Sequence, residues 1–422
     1  MLISPNIAHP AHEVIGEHAE SVAMLWKLRD AAVGQPHYSL RYLDRIDQRL
    51  NAHFDGLMVA GENAAGPLQV IVLSEDEGAV FAQAVLALWM RRTDEFRALF
   101  ALAESQPNFE RALLAAFAWV ERPMLQGLIK SLLGADASFA RRIGMAVCAM
   151  HRVDPGSSVL QGLDDSDAAL RARALRASGE LGKREFVSTI AATAAREDDP
   201  ACRFWAAWSA VLLGDREHAL DALMSKSLAE TSPRALQLTL LASDPVRGHE
   251  ALQPHAGDPA NLHTIIRGSG YIGDPRYVPW LISHMANDEM ARVAGESFST
   301  ITGLDLAWLD LERKPPEDLQ SGPNDDPEDE NVDMDEDDDL PWPDQIKVQA
   351  WWDQNGARFT TGVRHFMGAP PSPAHCIDVL KNGYQRQRIA AAHHLCLLNP
   401  GTPLFEWRAP AWRQQRELAQ MT

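Results

Sequence analysis

The chain has 422 residues, 46% of them hydrophobic, and a formal net charge of −19, so it is long enough for several domains or one elongated array. Apolar runs fall short of the roughly 18 residues of a membrane span, and residues 1–10 lack the basic and apolar regions of a secretory signal. The acidic balance argues against a nucleic-acid partner, whose phosphates require a basic surface.

Residues 1–70 are predicted to form an N-terminal helical cap. One amphipathic helical stretch contains Leu25-Trp26, and a second runs from Leu40 to Leu57, with Gly34 and Pro36 between them. The terminal units of a repeat array are usually atypical because they must present a polar end to solvent. This segment is therefore interpreted as the entry to an array of repeats.

An internal repeat occupies residues 71–313. Its clearest copy has an arginine, small residues three and six positions later, and Leu-Gly at positions ten and eleven. The first residue of this pattern, called the anchor position, recurs every 28 to 32 residues. The anchor positions are Phe81, Arg111, Arg141, Arg171, Arg203, Arg234, Leu262 and Arg292. A hairpin of two helices in about 30 residues cannot bury both faces alone, so the repeat predicts stacked hairpins.

One copy of the repeat shows the expected helix chemistry. Its apolar stripe has the spacing of one helix face, and Gly182 after it suits a helix end with positive φ. Arg171, Arg203 and Arg292 share one repeat position. This favours a structural ladder over a binding row, with each arginine paired to an acidic turn such as Asp164-Asp165 or Asp198-Asp199. The predicted stripe is Leu170, Ala174, Ala177 and Leu181.

The run Gly273-Asp274-Pro275, an apolar helix through Leu281, an acidic turn and Ala291-Arg292-Val293-Ala294 resembles a HEAT repeat of the phycobilisome-lyase-like kind. The resemblance covers roughly residues 75 to 303. It implies an all-α fold, an α-solenoid of HEAT-like helical hairpins with N- and C-terminal helical caps. Such repeats serve many tasks, so the resemblance predicts a fold and leaves the function open.

Four further segments extend the resemblance over most of the chain. They are His18-Ala-Glu20, Leu25-Trp26, Ala52-His53-Phe54-Asp55-Gly56-Leu57 and Ile301-Thr-Gly-Leu-Asp305. With the central repeats they are similar to one family of bacterial HEAT-repeat proteins, found in proteobacteria near type VI secretion genes. That resemblance implies no catalytic residues.

Residues 314–343 interrupt the repeats. Between Glu317 and Asp339 lie thirteen acidic residues and no lysine or arginine, preceded by Pro315-Pro316. Such a composition does not form a packed core, so an acidic disordered insertion is predicted. Three interpretations of the segment stay open. It is a solvated spacer, a docking segment for a basic partner or a mimic of DNA.

Residues 344–422 return to helical patterns and are predicted to form a C-terminal helical repeat and cap. Trp351-Trp352 is predicted to hold this cap in place rather than to bind a ligand. The stretch from Gln385 to Leu398 repeats the anchor pattern, starting from Arg388, and Pro400-Gly401 ends it.

The four cysteines are widely spaced and include no CxxC pair, which indicates reduced, buried thiols of a cytoplasmic protein. They are Cys148, Cys202, Cys376 and Cys396. A zinc site formed by Cys376 and Cys396 with His375, His393 or His394 is the alternative, although this spacing matches no standard ligand pattern.

No catalytic, cofactor-binding or metal site is predicted, because the chain has no P-loop, GxSxG or HExxH motif. Iron-dependent hydroxylases of this architecture use His-Glu pairs at matching repeat positions, whereas His12-Glu13 and His249-Glu250 occupy unrelated ones. Neighbouring residues on a helix face different ways, so of His393 and His394 one is predicted to be packed and one exposed. Core packing is predicted for Trp205, Trp208, Trp280 and Trp308.

These observations predict a non-enzymatic, cytoplasmic protein-binding scaffold, adaptor or chaperone whose partner is a protein with a basic face, without nucleic acid, membrane or cofactor. The family resemblance implies service to a type VI secretion effector. An immunity-type protein that blocks a toxin is the first alternative, and a HEAT-scaffold enzyme of lyase-like or hydroxylase-like chemistry is the second. The partner-binding residues stay unassigned.

Overall fold

A computed structural model describes residues 12–73, 75–227, 233–317 and 335–421. These residues form 22 α-helices and no β-strand, apart from two isolated bridges, which confirms the predicted all-α class. In chain order, α1 to α22 are His12–Ala32, Leu40–Ala60, Ala65–Leu73, Glu77–Trp89, Thr93–Ser105, Pro107–Trp119, Leu128–Leu133, Ser138–Met150, Ser158–Leu163, Ala168–Glu180, Val187–Arg196, Pro200–Leu213, His218–Ser227, Pro233–Ala242, Pro245–Leu252, Leu262–Ile272, Val278–His284, Asp288–Thr302, Gln345–Asn355, Pro373–Asn382, Gln385–Leu398 and Ala411–Leu418. Over these ranges no helix combines the length and the apolar character that crossing a bilayer requires.

The chain divides into two compact units, and the division falls inside α10. The first unit comprises residues 1–34, 38–177 and 406–417, and the second comprises 35–37, 178–405 and 418–422. Each unit therefore combines a long run of repeats with a short segment from a distant part of the chain.

The sequence repeat corresponds to alternate helices of the fold. The eight anchor positions fall within the first five residues of α4, α6, α8, α10, α12, α14, α16 and α18, which are called the anchor helices. In the first unit α4 packs on α6 and α6 on α8, and in the second unit α12, α14, α16 and α18 pack in succession. The helices between them complete the hairpins, as α17 does with α18. The predicted stacking of HEAT-like hairpins is confirmed.

In the first unit, the N-terminal hairpin of α1 and α2 packs against α4 around the anchor residue Phe81. The Phe81 ring stacks on Trp26 at a centroid distance of 5.3 Å and meets the edges of Phe54 and Trp119 at 5.9 Å each. Large aromatic side chains bury much apolar area, so this cluster joins the N-terminal hairpin to the first repeat.

Helix ends follow the pattern read from the sequence. The left-handed conformation predicted for the glycine at the end of the repeat helix is present in four copies. The φ angles are +69° at Gly182, +113° at Gly214, +72° at Gly273 and +74° at Gly303. At Gly273 a Cβ atom would also lie 2.3 Å from the carbonyl oxygen of His365. The predicted apolar stripe is corrected at one position: α10 ends at Glu180, so Leu181 lies beyond the helix and is only half-buried.

In the second unit, the C-terminal part of the chain returns along the anchor helices. Helices α20 and α21 form a hairpin, and α21 packs on α12 and α14. The segment 360–369 crosses the C-terminal ends of α16 and α18. The His365 N–H donates to Gly273 O at 2.7 Å, and the Met367 N–H donates to Thr300 O at 2.6 Å. No sequence pattern predicted this course.

Candidate interaction surface

Three anchor arginines bind the backbone of the turn that precedes their own helix. Each donates from Nη1 to the backbone carbonyls five and six residues earlier, which closes the turn before its helix. The contacts are Arg141 to Ala135 and Asp136 at 3.0 and 2.5 Å, Arg171 to Asp165 and Ser166 at 2.9 and 3.0 Å, and Arg203 to Glu197 and Asp198 at 2.9 and 2.7 Å. Arg141 also pairs with the Asp165 carboxylate at 2.7 Å. The arginines therefore act structurally, as predicted, although they bind mainly the backbone of the acidic turns.

Arg292 departs from this pattern. The carbonyls at the corresponding positions belong to Ala286 and Asn287, but Arg292 donates to Asp337 O at 3.0 Å and to the Asp335 carboxylate. Its guanidinium also lies 4.8 Å from the centre of the Trp342 ring. In this copy of the repeat, the anchor arginine therefore binds the end of the acidic segment and not the turn before its own helix.

Two more arginines converge on the same acidic residues. Arg267 of α16 pairs with Glu336 and Asp337 at 2.7 Å each. Arg386 of α21 donates to Glu336 O and pairs with Glu296 at 2.8 Å. We call Arg267, Arg292 and Arg386, with His263 and Glu296 beside them, the arginine cradle. The sequence did not indicate this cluster, because Arg267 and Arg386 occupy no anchor position.

Among the described residues of the acidic segment, Asp337 is the most deeply buried, with 4% of its surface exposed. Burial opposes its ionisation, but the 2.6 Å hydrogen bond with His263 and the charges of Arg267 and Arg386 outweigh burial and lower the pKa of Asp337. The predicted acidic disordered insertion, residues 314–343, is therefore corrected at its end. Counter-charges from three helices hold Asp335 to Asp337 in place, while residues 318–334 lie outside the described part of the chain.

A surface recess of about 840 Å³ lies beside the cradle. Arg292, Arg313, Lys314, Lys347, Asp310, Glu312, Asp338, Asp339, Asp344 and Trp342 line it, with Ala307, Pro315, Leu340 and Pro341. Trp308 directly follows Ala307 and is 85% exposed, and Ile346 directly precedes Lys347 and is 81% exposed. The Lys347 ammonium donates to Asp310 O at 2.8 Å, which holds these two segments together.

The exposure of Trp308 corrects the prediction that it packs in a core. Its backbone N–H donates a hydrogen bond to the Asp305 carboxylate at 3.0 Å, in the turn that follows α18. Of the other three tryptophans, Trp208 is 5% exposed and Trp205 and Trp280 are half-buried. Trp351 and Trp352 lie 6.4 and 5.5 Å from the Phe359 ring, consistent with the structural role predicted for this pair.

Comparison with known families bears on the repeats. A family model for HEAT repeats matches residues 157–242. That stretch contains the anchors Arg171, Arg203 and Arg234, so the match coincides with copies of the repeat read from the sequence. No curated protein and no solved structure matches the chain. The finer resemblances to phycobilisome-lyase-like repeats and to a family near type VI secretion genes stay predictions.

The two His-Glu pairs of the chain belong to different units. His12-Glu13 is exposed at the start of α1, and His249 Nδ1 lies 2.7 Å from the hydroxyl of Tyr277 in the second unit. The prediction for His393 and His394 is corrected, because they are only 4% and 3% exposed. Helix α21 is covered on several sides, by α12, α14 and α20, so both of its neighbouring histidines are buried.

All four cysteines are buried in the described structure. Burial raises the pKa of Cys148 and of Cys376 to about 11, so both thiols stay protonated near neutral pH. Over the described ranges, no group of three or more His, Cys, Asp or Glu side chains is arranged to hold a metal ion.

Two residues from the N-terminal segments of the family resemblance meet in the structure. His18 and His53 join through their Nδ1 atoms at 3.0 Å across the hairpin of α1 and α2. A Cβ atom on Gly56 would lie 2.6 Å from the His18 ring, so glycine makes room for that ring. Burial, and then the neighbouring His18, lower the pKa of His53. A pair of histidines fixes the register of the hairpin and falls short of a metal site.

Buried His151 predicts a pH dependence for the first unit. Burial, and then the charge of Arg413, lower the pKa of His151 to about 4. In the unfolded state, the same imidazole binds a proton near pH 6.5. The free energy of unfolding that depends on neutral His151 is therefore fully present above about pH 6.5. It falls by about 1.4 kcal/mol per pH unit as the pH drops towards 4. Urea unfolding at several pH values measures how steeply the free energy of unfolding depends on pH. His151→Gln should reduce this slope, and His12→Gln, a change at an exposed histidine, should leave it unchanged. An equal slope in all three proteins would contradict a neutral His151.

Proposed function

We propose that the protein is a non-enzymatic protein-binding scaffold that contacts its partner through Trp308 and Ile346. The observation that carries the proposal is the exposure of these side chains, 85% and 81%, on two segments joined by Lys347. A large aromatic side chain held out from a rigid repeat is the kind of residue that dominates interface energies. Arrays of HEAT repeats present extended surfaces of this kind, which supports the proposal.

The charge of the chain favours a partner with a basic face. The net charge is −19, and at the rim of the recess the side chains of Asp310 and Asp339 are 93% and 63% exposed. Opposite charges around an apolar contact accelerate association and suppress unsuitable partners, and salt screens them. The association is therefore proposed to weaken as salt rises, while the apolar contact of Trp308 persists.

Within this proposal, the partner is a type VI secretion effector if the protein is an adaptor or chaperone. It is a toxin if the protein is an immunity-type inhibitor. Both roles use the same contact surface, and the identity of the captured protein distinguishes them. The enzyme alternative predicts that His249→Ala eliminates an activity in a folded protein, whereas a scaffold keeps its function after that substitution.

The test replaces both exposed side chains, as Trp308→Ser with Ile346→Ser. Val59→Ser is the matched control, because Val59 is 90% exposed in the first unit. Each chain is used to capture proteins from native cells, and affinity for the captured partner is then measured with purified proteins. We expect the double variant to bind at least ten times more weakly, since truncating one interface hot spot costs about 2 kcal/mol or more. Equal affinity in the double variant and the control would place the binding surface elsewhere.

A further inference from the structure

The arginine cradle holds a tripeptide in the manner of a binding site. Arg267 of α16, Arg292 of α18 and Arg386 of α21 all reach Asp335-Glu336-Asp337. His263 completes the contact with the Asp337 carboxylate at 2.6 Å. Side chains from three separate helices thus meet on three consecutive residues at the start of one turn.

The contacts recognise the backbone as well as the charges. Arg292 donates to the carbonyl of Asp337, and Arg386 donates to the carbonyl of Glu336. Arg267 uses both of its terminal nitrogens on carboxylates. A phosphate or a nucleic acid offers no peptide carbonyl, so the pattern fits an acidic polypeptide.

The cradle depends on an occupant. Among the described contacts, Glu296 is the only carboxylate that would stay beside Arg267 and Arg386 if the tripeptide left. The side chains of the three arginines are only 11% to 18% exposed, and buried charges without partners are strongly destabilising. Arg267 Nε is also buried without a hydrogen-bond partner, so the tripeptide leaves one donor of the cradle unused. Without the tripeptide, the three arginines would face a single carboxylate, Glu296, so this part of a net-acidic protein would carry excess positive charge.

We propose that the arginine cradle is a binding site for an acidic segment of a partner protein, and that Asp335-Glu336-Asp337 is its resident competitor. The proposal goes beyond the scaffold function and involves neither Trp308 nor Ile346, so the two can fail separately. The resident tripeptide belongs to the same chain, and tethering gives such a segment an effective concentration on the order of millimolar. An acidic segment added from outside therefore binds only when the resident contacts are weakened.

The experiment uses the full chain with Asp335→Asn and Asp337→Asn, and a fluorescent peptide of residues 335–340, Asp-Glu-Asp-Asp-Asp-Leu, as the probe. Fluorescence polarisation should show at least tenfold tighter binding to this double variant than to the wild type. Adding Arg267→Ala should abolish the gain. The mirror-image peptide of D-amino acids has the same charge but cannot reproduce the carbonyl contacts, and it should bind at least fivefold more weakly.

Two outcomes would overturn the proposal. A folded double variant that binds the peptide no better than the wild type would make the tripeptide a purely structural element. Equal binding of the mirror-image peptide would reduce the cradle to non-specific charge attraction. If the double variant does not fold, Asp335→Asn alone carries the same test, because this side chain is 22% exposed. A gain of at least threefold is then expected, and no gain overturns the proposal.

Discussion

Replacing Arg364 by alanine is expected to lower the free energy of unfolding of the second unit by about 3 to 5 kcal/mol. The guanidinium donates to carbonyls at the ends of two anchor helices. Its acceptors are Ile272 O at 2.9 Å, Leu240 O and Ser243 O at 2.7 Å each, and Leu241 O. Without it, these carbonyls lose a charged donor at helix ends that the segment 360–369 covers, so each is left poorly paired.

Chemical denaturation followed by circular dichroism measures the effect. Arg358→Ala is the control from the same part of the chain, because Arg358 is exposed and donates to Asn355 Oδ1 at 3.2 Å. It should cost less than about 1 kcal/mol. Arg364→Lys should recover only part of the loss, since a single ammonium cannot reach carbonyls on both helix ends. Equal stability of Arg364→Ala and Arg358→Ala would mean that the bonds of Arg364 contribute little.

In the first unit, Asp47→Ala is expected to cost about 3 to 5 kcal/mol, the range for breaking a buried ion pair. Asp47 is 1% exposed and accepts the Arg29 Nε–H at 2.5 Å and the Ala411 N–H at 2.6 Å. Arg29 in turn donates to the carbonyls of Arg408 and Ala409 at 3.0 and 2.8 Å. Removing the carboxylate therefore leaves the charge of Arg29 uncompensated and frees the backbone of residues 408–411.

Two measurements check this expectation. The thermal midpoint should fall, and trypsin should cleave at Arg408 and Arg416 faster than in the wild type, because residues 406–417 lose one of their buried attachments. Asp44→Ala is the control on the same helix, where Asp44 accepts the Gln48 side-chain amide at 2.7 Å on the surface. A cleavage rate that matches the control would show that other contacts hold the segment.

The acidic segment shows how charge patterning misleads when its partners are distant. Like charges repel along the chain, which predicts disorder, but Arg267 and Arg386 lie far from Asp337 in sequence and supply the opposite charge in space. The prediction assumed that no counter-charge was near, and only the packing of α16, α18 and α21 brings one there. A prediction from composition alone has no access to such long-range pairs.

The sequence by itself determined the repeats of this protein, because they depend on local chemistry. Anchor spacing and apolar stripes placed the eight anchor helices, and glycine marked the ends of four of them, since helix periodicity and the left-handed conformation of glycine act within a few residues. Only the tertiary structure decided the rest. It exposed Trp308 and buried both His393 and His394. It also brought Arg364 and the acidic tripeptide onto the repeats, because these placements depend on residues far apart in the chain, such as Arg267 with Asp337, 70 positions apart, and Leu240 with Arg364, 124 positions apart.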